Sequence, residues 1–306
     1  MADRSAARLR GSCAFAERGQ APSVLRDPAP VRGPLPAVVR RSPLPAGCSW
    51  TAEPFRRFTF PAMTFDVLPV RTGNAPENMA HDFLLLQRYP RAAGARLRHY
   101  GSRGPAWTFG YSQKIAFVRS QIPSGARDLC RRPTGGGVVD HTDDWTYALV
   151  VPRGFPLYDA PATESYRVVH DGLTAALKAQ GVPAELERRA APVEAAAQPP
   201  LPAAGGPAGV CFQRAEVFDV VHAVSRAKIA GAAQKRNKHG LLLQGSIWKP
   251  SCAATLDWDA FHDAFIAQLA TALHAETETP GWPEFGYDEE QALIEQYSGP
   301  EWNEFR

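Results

Sequence analysis

Three short segments of this chain carry side chains suited to chemistry. The first is Arg131-Arg132-Pro133-Thr134-Gly135-Gly136-Gly137-Val138-Val139-Asp140-His141. Three successive glycines permit positive φ and let backbone N–H groups approach a ligand closely. The two arginines can hold a carboxylate, a phosphate or a carbonyl oxygen. The spacing is neither GxxxxGK[ST] nor GxGxxG, so a nucleotide site of either kind is not indicated. Taken alone, the glycines read equally well as a flexible turn, and His141 as a structural histidine at a strand end. The second segment is Lys228-Ile229-Ala230-Gly231-Ala232-Ala233-Gln234. A lysine among small and apolar residues is expected to be partly desolvated. Desolvation disfavours its ammonium form and suits it to exchange a proton or donate to an oxyanion. The ordinary alternative is a solvated lysine at a strand end. The chain has six lysines against 28 arginines, so a lysine kept in a Gly/Ala setting implies that arginine would not serve there. The third segment is Cys211-Phe212. A free cysteine is more often a small buried hydrophobe than a nucleophile. Cys130 is its rival, because the neighbouring Arg131 and Arg132 offer two cations that would lower a thiol pKa. Cys252 lacks such neighbours.

The five cysteines show no CxxC spacing, which argues against a disulfide framework and against a zinc knuckle. No metal site is expected, and a reducing cytoplasm is the expected setting. There is no run of eighteen apolar residues, so no membrane-spanning helix is expected. Residues 1–62 hold ten Arg, no Lys and four acids, a net of +6, whereas residues 63–306 carry a net of −3. The basic balance thus belongs to the first segment, and the rest lacks the electrostatic drive for nucleic-acid binding.

The elements that must position these residues begin at Met63. Residues 1–62 contain nine prolines and no sustained period, and read as a disordered extension. Their arginines suit a transit peptide but their prolines do not. The favoured reading is that translation starts at Met63. Strands are expected from Phe65, over Leu97–Tyr100 and Ala106–Gly110, within Val138–Pro152, and over Phe218–Val221 and Leu241–Ile247, the last two flanking the lysine segment. Helices are expected over Glu77–Leu86, from an N-cap at Thr163 to a stop at Gly181, over Asp259–His274, and over Glu289–Tyr297. Residues 190–209 read as a low-complexity loop inside one domain, 63–306. Strands interleaved with helices indicate an α/β or α+β sheet domain.

The glycine segment with Asp140-His141, then Cys211-Phe212, then the lysine segment, together strongly resemble the lipoate-protein ligase and octanoyltransferase family. Asn78-Met79 with Asp82, Phe109-Gly110-Tyr111-Ser112-Gln113 and Tyr297-Ser298-Gly299-Pro300-Glu301-Trp302 add to the match. The resemblance implies a central mixed sheet flanked by helices, of the biotin/lipoate protein ligase type. Ligases of this family show an Asn-Asp pair ahead of the lysine. Here Cys-Phe stands ahead of it instead, as in the cysteine-dependent octanoyltransferases. The implied reaction moves an octanoyl group from acyl carrier protein, through a Cys211 thioester, to a lysine of a lipoyl domain of a 2-oxoacid dehydrogenase or of glycine cleavage H protein. Lys228 would assist Cys211. Gly135, Gly136, Gly137 and Gly231 would line the acyl site, and Arg132 and His141 would orient the carbonyl end. No cofactor is implied for this reaction. The alternatives are a lipoate–protein ligase using ATP and Mg, and a non-catalytic lipoyl- or octanoyl-binding module. The module is distinguished by a missing lysine, and Lys228 is present.

Overall fold

The computed structural model describes residues 63–188, 212 and 214–306. Segment 1–62, the loop 190–209 and Cys211 lie outside the described residues. Strand β1 (Met63–Gly73) leads into Asn74, which starts helix α1 (Ala75–Gln87) with a capping box. The Asn74 side chain accepts from the Glu77 N–H, and the Glu77 carboxylate accepts from the Asn74 N–H, each at 2.9 Å. Strand β2 (Ala95–Ser102) follows, then β3 (Trp107–Phe109), helix α2 (Ile115–Gln121), β4 (Leu129–Arg131), β5 (Val138–Asp140) and β6 (Asp144–Val151). After a short helix α3 (Pro156–Asp159) come the long helix α4 (Ala162–Ala179), β7 (Ala184–Leu186), β8 (Val220–His222), β9 (Lys228–Asn237) and β10 (Gly240–Trp248). Helix α5 (Trp258–Leu273), β11 (Ala275–Glu278), α6 (Tyr287–Ser298) and α7 (Pro300–Asn303) complete the order.

Eight strands form one mixed sheet in the order β11-β1-β2-β6-β10-β9-β8-β7, and three form a small one in the order β4-β3-β5. Both neighbours of β1 run parallel to it, and the remaining pairs of the large sheet are antiparallel. Along β6, Trp145, Tyr147, Leu149 and Val151 alternate with Thr146, Ala148 and Val150, and all seven are buried. A strand buried on both faces lies between two layers. On one side Tyr147 and Leu149 pack with Leu173 and Leu177 of α4 and with Phe261, Phe265, Leu269 and Leu273 of α5. Fully burying each such side chain stabilises by roughly 1.5–3 kcal/mol. On the other side Ala148 and Val150 pack with Leu85 and Leu86 of α1. The expected central mixed sheet flanked by helices is therefore what the chain forms.

The element boundaries differ in instructive ways. Helix α4 starts at an N-cap of Pro161 with no side-chain cap, and Thr163 lies inside its first turn. Gly181 closes that helix as expected, at φ +78°. Helix α5 is capped by Asp257, which accepts from the N–H groups of Asp259 and Ala260. Lys228–Gly231 does not lie between strands but opens β9.

Candidate active site

Four side-chain positions form one rung across the sheet: Tyr100 of β2 pairs with Thr146, Thr146 with Ser246, and Ser246 with Gly231. Residues in register share a face, so this rung becomes the floor of a cleft of about 440 Å³, counting the open space at its mouth. Gly136, Arg132, Thr108, Val139 and His141, from the small sheet and the glycine segment, form the opposite wall, and Lys228 lies at one side. The cleft thus gathers Arg132, Gly136, His141, Lys228 and Gly231, which are five of the site residues expected from sequence. Gly135 and Gly137 are tied to it through Arg132. Phe212 is described, with its ring 5.6 Å from that of Trp248 at the end of β10.

Lys228 is buried, but not among apolar groups alone. Its Nζ lies 2.6 Å from Oδ2 of Asp219, with the two side chains 7% and 1% exposed. Asp219 is itself held. Its Oδ2 accepts the Glu216 N–H at 2.7 Å, and its Oδ1 accepts the Tyr166 hydroxyl. Burial and the Asp219 charge push the Tyr166 phenol well above its ordinary range, so it stays a donor. The Tyr166 oxygen in turn accepts the Ala232 N–H at 3.0 Å. The expectation of a lysine activated by desolvation is therefore corrected to a lysine in a buried ion pair. Gly231 is what makes room for it. A Cβ there would lie 2.7 Å from Lys228 Cε and 3.0 Å from Asp219 Oδ1.

A second network organises the opposite wall. Nδ1 of His141 lies 2.7 Å from Oδ2 of Asp144, which also accepts the hydroxyls of Ser246 at 2.5 Å and Thr146 at 2.7 Å. Burial alone would raise the Asp144 pKa. The His141 charge and hydrogen bonds from His141, Ser246 and Thr146 outweigh it, so the carboxyl sits below its usual range. An ionised Asp144 favours the proton on Nδ1, and Nε2 of His141 lies 2.7 Å from the Thr108 hydroxyl. Thr108 Oγ1 then accepts from Arg132 Nη1 at 2.7 Å, while Nη2 of Arg132 donates to Gly135 O and Gly137 O, both at 2.9 Å. Asp144, His141, Thr108 and Arg132 thus run as one chain into the glycine loop. Gly136 takes φ +90°, and a Cβ on Gly110 would lie 2.1 Å from Gly136 O, so the loop needs a glycine at both positions.

Arg131 does not join this wall. It donates to Tyr111 O, Gln113 O and Asn303 O, each at 2.7 Å, and Trp302 donates to Arg131 O at 2.8 Å. That is the physical content of the terminal Pro300-Glu301-Trp302 segment: it ties the chain end to the strand ahead of the glycines. Cys130 is fully buried, and its thiol points to Tyr297 O at 3.4 Å. Burial and then the Asp128 charge push that thiol well above its ordinary range, more than Arg132 and Arg131 pull it down. The rivalry expected from its cationic neighbours is overturned. Burial also pushes Cys252 up, to about 12. Cys211 lies outside the described residues.

Sequence reasoning missed Asp219, Tyr166, Thr108 and Asp144. Asp144 carried a signal, standing three residues after His141 at the start of a strand. Gln244 was missed too. It donates to Asp82 Oδ2 at 2.6 Å and accepts from Thr134 at 2.7 Å, and Asp82 accepts from Arg98 at 2.7 Å. Among the described residues no group of three or more His, Cys, Asp or Glu is placed to hold a metal ion, and no helix is long and apolar enough to cross a membrane.

Residues 74–268 match the family described as the lipoyl protein ligase A/B catalytic domain. An octanoyltransferase LipM of Kyrpidia tusciae is 33% identical over 187 residues, 60% of this chain and 65% of the relative. One of Exiguobacterium sp. is 30% identical over 223 residues, 70% of this chain and 74% of the relative. The chain spans about two thirds of the length of the relatives it matches. Among solved structures, protein Ta0514 of T. acidophilum with bound lipoic acid superposes at a TM-score of 0.57 with 20% identity, covering 79% of this chain and 99% of that one. A lipoate-protein ligase A bound with ATP does so at 0.55, also with 20% identity, covering 79% and 98%. The matched span includes the glycine segment, Lys228 and six of the eight strands of the sheet that joins them, and by it the chain belongs to the lipoyl protein ligase A/B catalytic-domain family.

Proposed function

We propose that the chain is a protein octanoyltransferase. It takes an octanoyl group from acyl carrier protein and passes it to a lysine of a lipoyl-accepting domain, through a thioester on Cys211. The observation that carries this reading is the buried Lys228–Asp219 pair on the wall of a cleft faced by Gly136. The relatives that share 30–33% identity are octanoyltransferases, which favours transfer over ATP-dependent ligation. Phe212 against Trp248, two residues beyond cleft-lining Ser246, supports Cys211 as the nucleophile.

In the first step the Cys211 thiolate attacks the thioester carbonyl. A new C–S bond forms, the old one breaks, and the carrier leaves as a thiolate that takes up a proton. In the second step the ε-amine of the acceptor lysine attacks the Cys211 thioester. A C–N bond forms, the C–S bond breaks, and the amine's proton goes to the departing sulfur. Thioester exchange is nearly isoenergetic and amide formation runs downhill, so the scheme consumes no ATP. A free thiol is only a few per cent thiolate at pH 7. The Lys228 ammonium stabilises that thiolate and the oxyanion of each tetrahedral intermediate. The small residues Gly231, Ala232, Ala233, Gly136 and Val139 leave room for the acyl chain. Burying its seven methylene and methyl carbons is worth about 6 kcal/mol at roughly 0.8 each.

The test is intact-mass spectrometry after mixing with octanoyl carrier protein in the absence of ATP, followed by peptide mapping. An octanoyl adduct on Cys211 is expected. An adduct on Cys130, or no adduct while ATP with free lipoate yields lipoylated acceptor, overturns the reading in favour of another nucleophile or of the ligase.

A further inference from the structure

Six large apolar side chains are exposed among the described residues, and three of them, Tyr111, Phe117 and Phe305, stand in one corner at 38–42% exposure. The Tyr111 and Phe305 rings are 5.3 Å apart, and α2, which carries Phe117, is joined to the same corner by the Ile115 N–H donating to Arg306 O at 2.9 Å. Cations gather on these rings. Lys235 Nζ lies 5.5 Å and the Arg306 guanidinium 5.7 Å from the Tyr111 ring centre, and Lys114 is the N-cap of α2. Lys114, Lys235 and Arg306 are exposed, and none of the three forms an ion pair with a carboxylate among the described residues. Lys114 and Lys235 are two of only six lysines, in a body whose net charge is −3. The corner is also joined to the cleft. Tyr111 N–H donates to Thr134 O at 2.8 Å, and Gln113 donates to Gly136 O at 3.2 Å. Lys235 lies two residues beyond cleft-lining Ala233, on the same face of β9.

Exposed aromatic rings ringed by uncompensated cations suit an anionic protein partner, since complementary charge speeds and orients encounter. The two substrates of the proposed reaction differ in what they bring to the cleft. The acceptor brings an ammonium, which three cations beside the cleft repel. The donor brings a neutral thioester. We propose, resting on the octanoyltransferase reading, that Lys114, Lys235 and Arg306 around Tyr111 and Phe305 form the docking surface for the acyl donor, an acidic carrier protein that presents its acyl group as a thioester.

The experiment compares the full chain with the triple variant Lys114→Glu, Lys235→Glu, Arg306→Glu. Acylation is measured from octanoyl–acyl carrier protein and from octanoyl-pantetheine, which has no carrier to dock. The rate at limiting carrier should fall about tenfold or more at low salt, and the deficit should shrink as salt is raised. The rate with octanoyl-pantetheine should stay within about twofold, the span expected for residues outside the cleft. Transfer from preloaded enzyme to a lipoyl domain should not slow. An unchanged carrier rate, an equal fall with octanoyl-pantetheine, or a defect confined to the acceptor step each overturns the proposal. Fluorescence titration with unacylated carrier protein separates the two readings. If the wild-type chain binds it and the triple variant does not, the docking surface stands even where no acyl transfer is seen.

Discussion

Gly231→Ala places one methyl group where the structure leaves none. The new Cβ would lie 2.7 Å from Lys228 Cε and 2.8 Å from its Nζ. Carbon atoms pack best at about 3.5–4.0 Å, so the lysine end must retreat by about 1 Å. The 2.6 Å contact to Asp219 can then open by up to about 1 Å, out of hydrogen-bond reach. A displacement of that size at a reacting group costs about 10²-fold in rate, or about 2.7 kcal/mol of barrier. Overpacking costs roughly 1–3 kcal/mol of stability, and at about 2–4 °C per kcal/mol the melting midpoint falls by roughly 2–12 °C, which leaves the protein folded. The assay is single-turnover acylation at 25 °C beside a thermal melt, with Gly104→Ala as control because a Cβ there meets nothing within 4 Å. A Gly231→Ala enzyme within threefold of wild type would refute the claim that the position of Lys228 matters to the reaction.

Three further outcomes follow from the same contacts. Gly110→Ala drives a Cβ to 2.1 Å from the Gly136 carbonyl, backbone against side chain, so acylation should be lost with a stability cost above that of Gly231→Ala; equal midpoints in the two melts would contradict it. Asp144, whose carboxyl is held below its usual range, adds stability that is fully present above the unfolded value near 3.9 and is lost as pH falls through the lower folded value. Asp144→Asn should therefore be less stable at pH 7, with the gap closing below about pH 4; parallel pH profiles of the two midpoints would count against the network. Cys130, with its thiol pushed up by burial, should resist iodoacetamide at pH 8 in the folded protein and react on unfolding; rapid labelling of the folded chain would show that its burial is misjudged.

What could be read from sequence was whatever depended on residue type at short spacing. The glycine segment needed only its own glycines, and Val, Tyr and Trp marked β6 because both its faces are buried. Asp219 could not be read, since a turn brings it beside Lys228, nine positions on. That turn, Ala223-Val224-Ser225-Arg226-Ala227, contains no glycine or asparagine, and Arg226 itself takes φ +61°. Phe218, expected in a strand, takes φ +70° just before Asp219. The misreading of Cys130 has a simpler cause. Successive residues of a strand point to opposite faces, so Arg131 beside it in sequence is not beside its sulfur in space. The start of α4 went to Pro161 because proline already holds the extended entry, whereas the Thr163 hydroxyl caps nothing.

The Lys228–Asp219 pair is a poor device for stability. Desolvating two charges offsets most of their attraction, and apolar residues of similar volume often do as well or better. The core around Leu173, Phe261 and Phe265 has no evident need of it. Asp219, however, is furnished as if to hold a cation in place, accepting from Tyr166, from the Glu216 N–H and from Lys228. Lys228, by contrast, has three N–H donors, and Asp219 is its only partner among the described residues, while the amine lines the cleft. The arrangement fixes a positive charge and leaves donors for something that enters. That suits the negative charge of a thiolate and of the tetrahedral oxyanion that the proposed acyl transfer would develop. Preorganised charge of this kind is most effective where water is excluded and costs no reorganisation at the moment of reaction. The lysine end lies so close to Gly231 that even a Cβ there would meet it at 2.7 Å, and the longer, planar arginine fork needs more room still. The chain's use of lysine here, against its general preference for arginine, therefore has a steric cause as well as a chemical one.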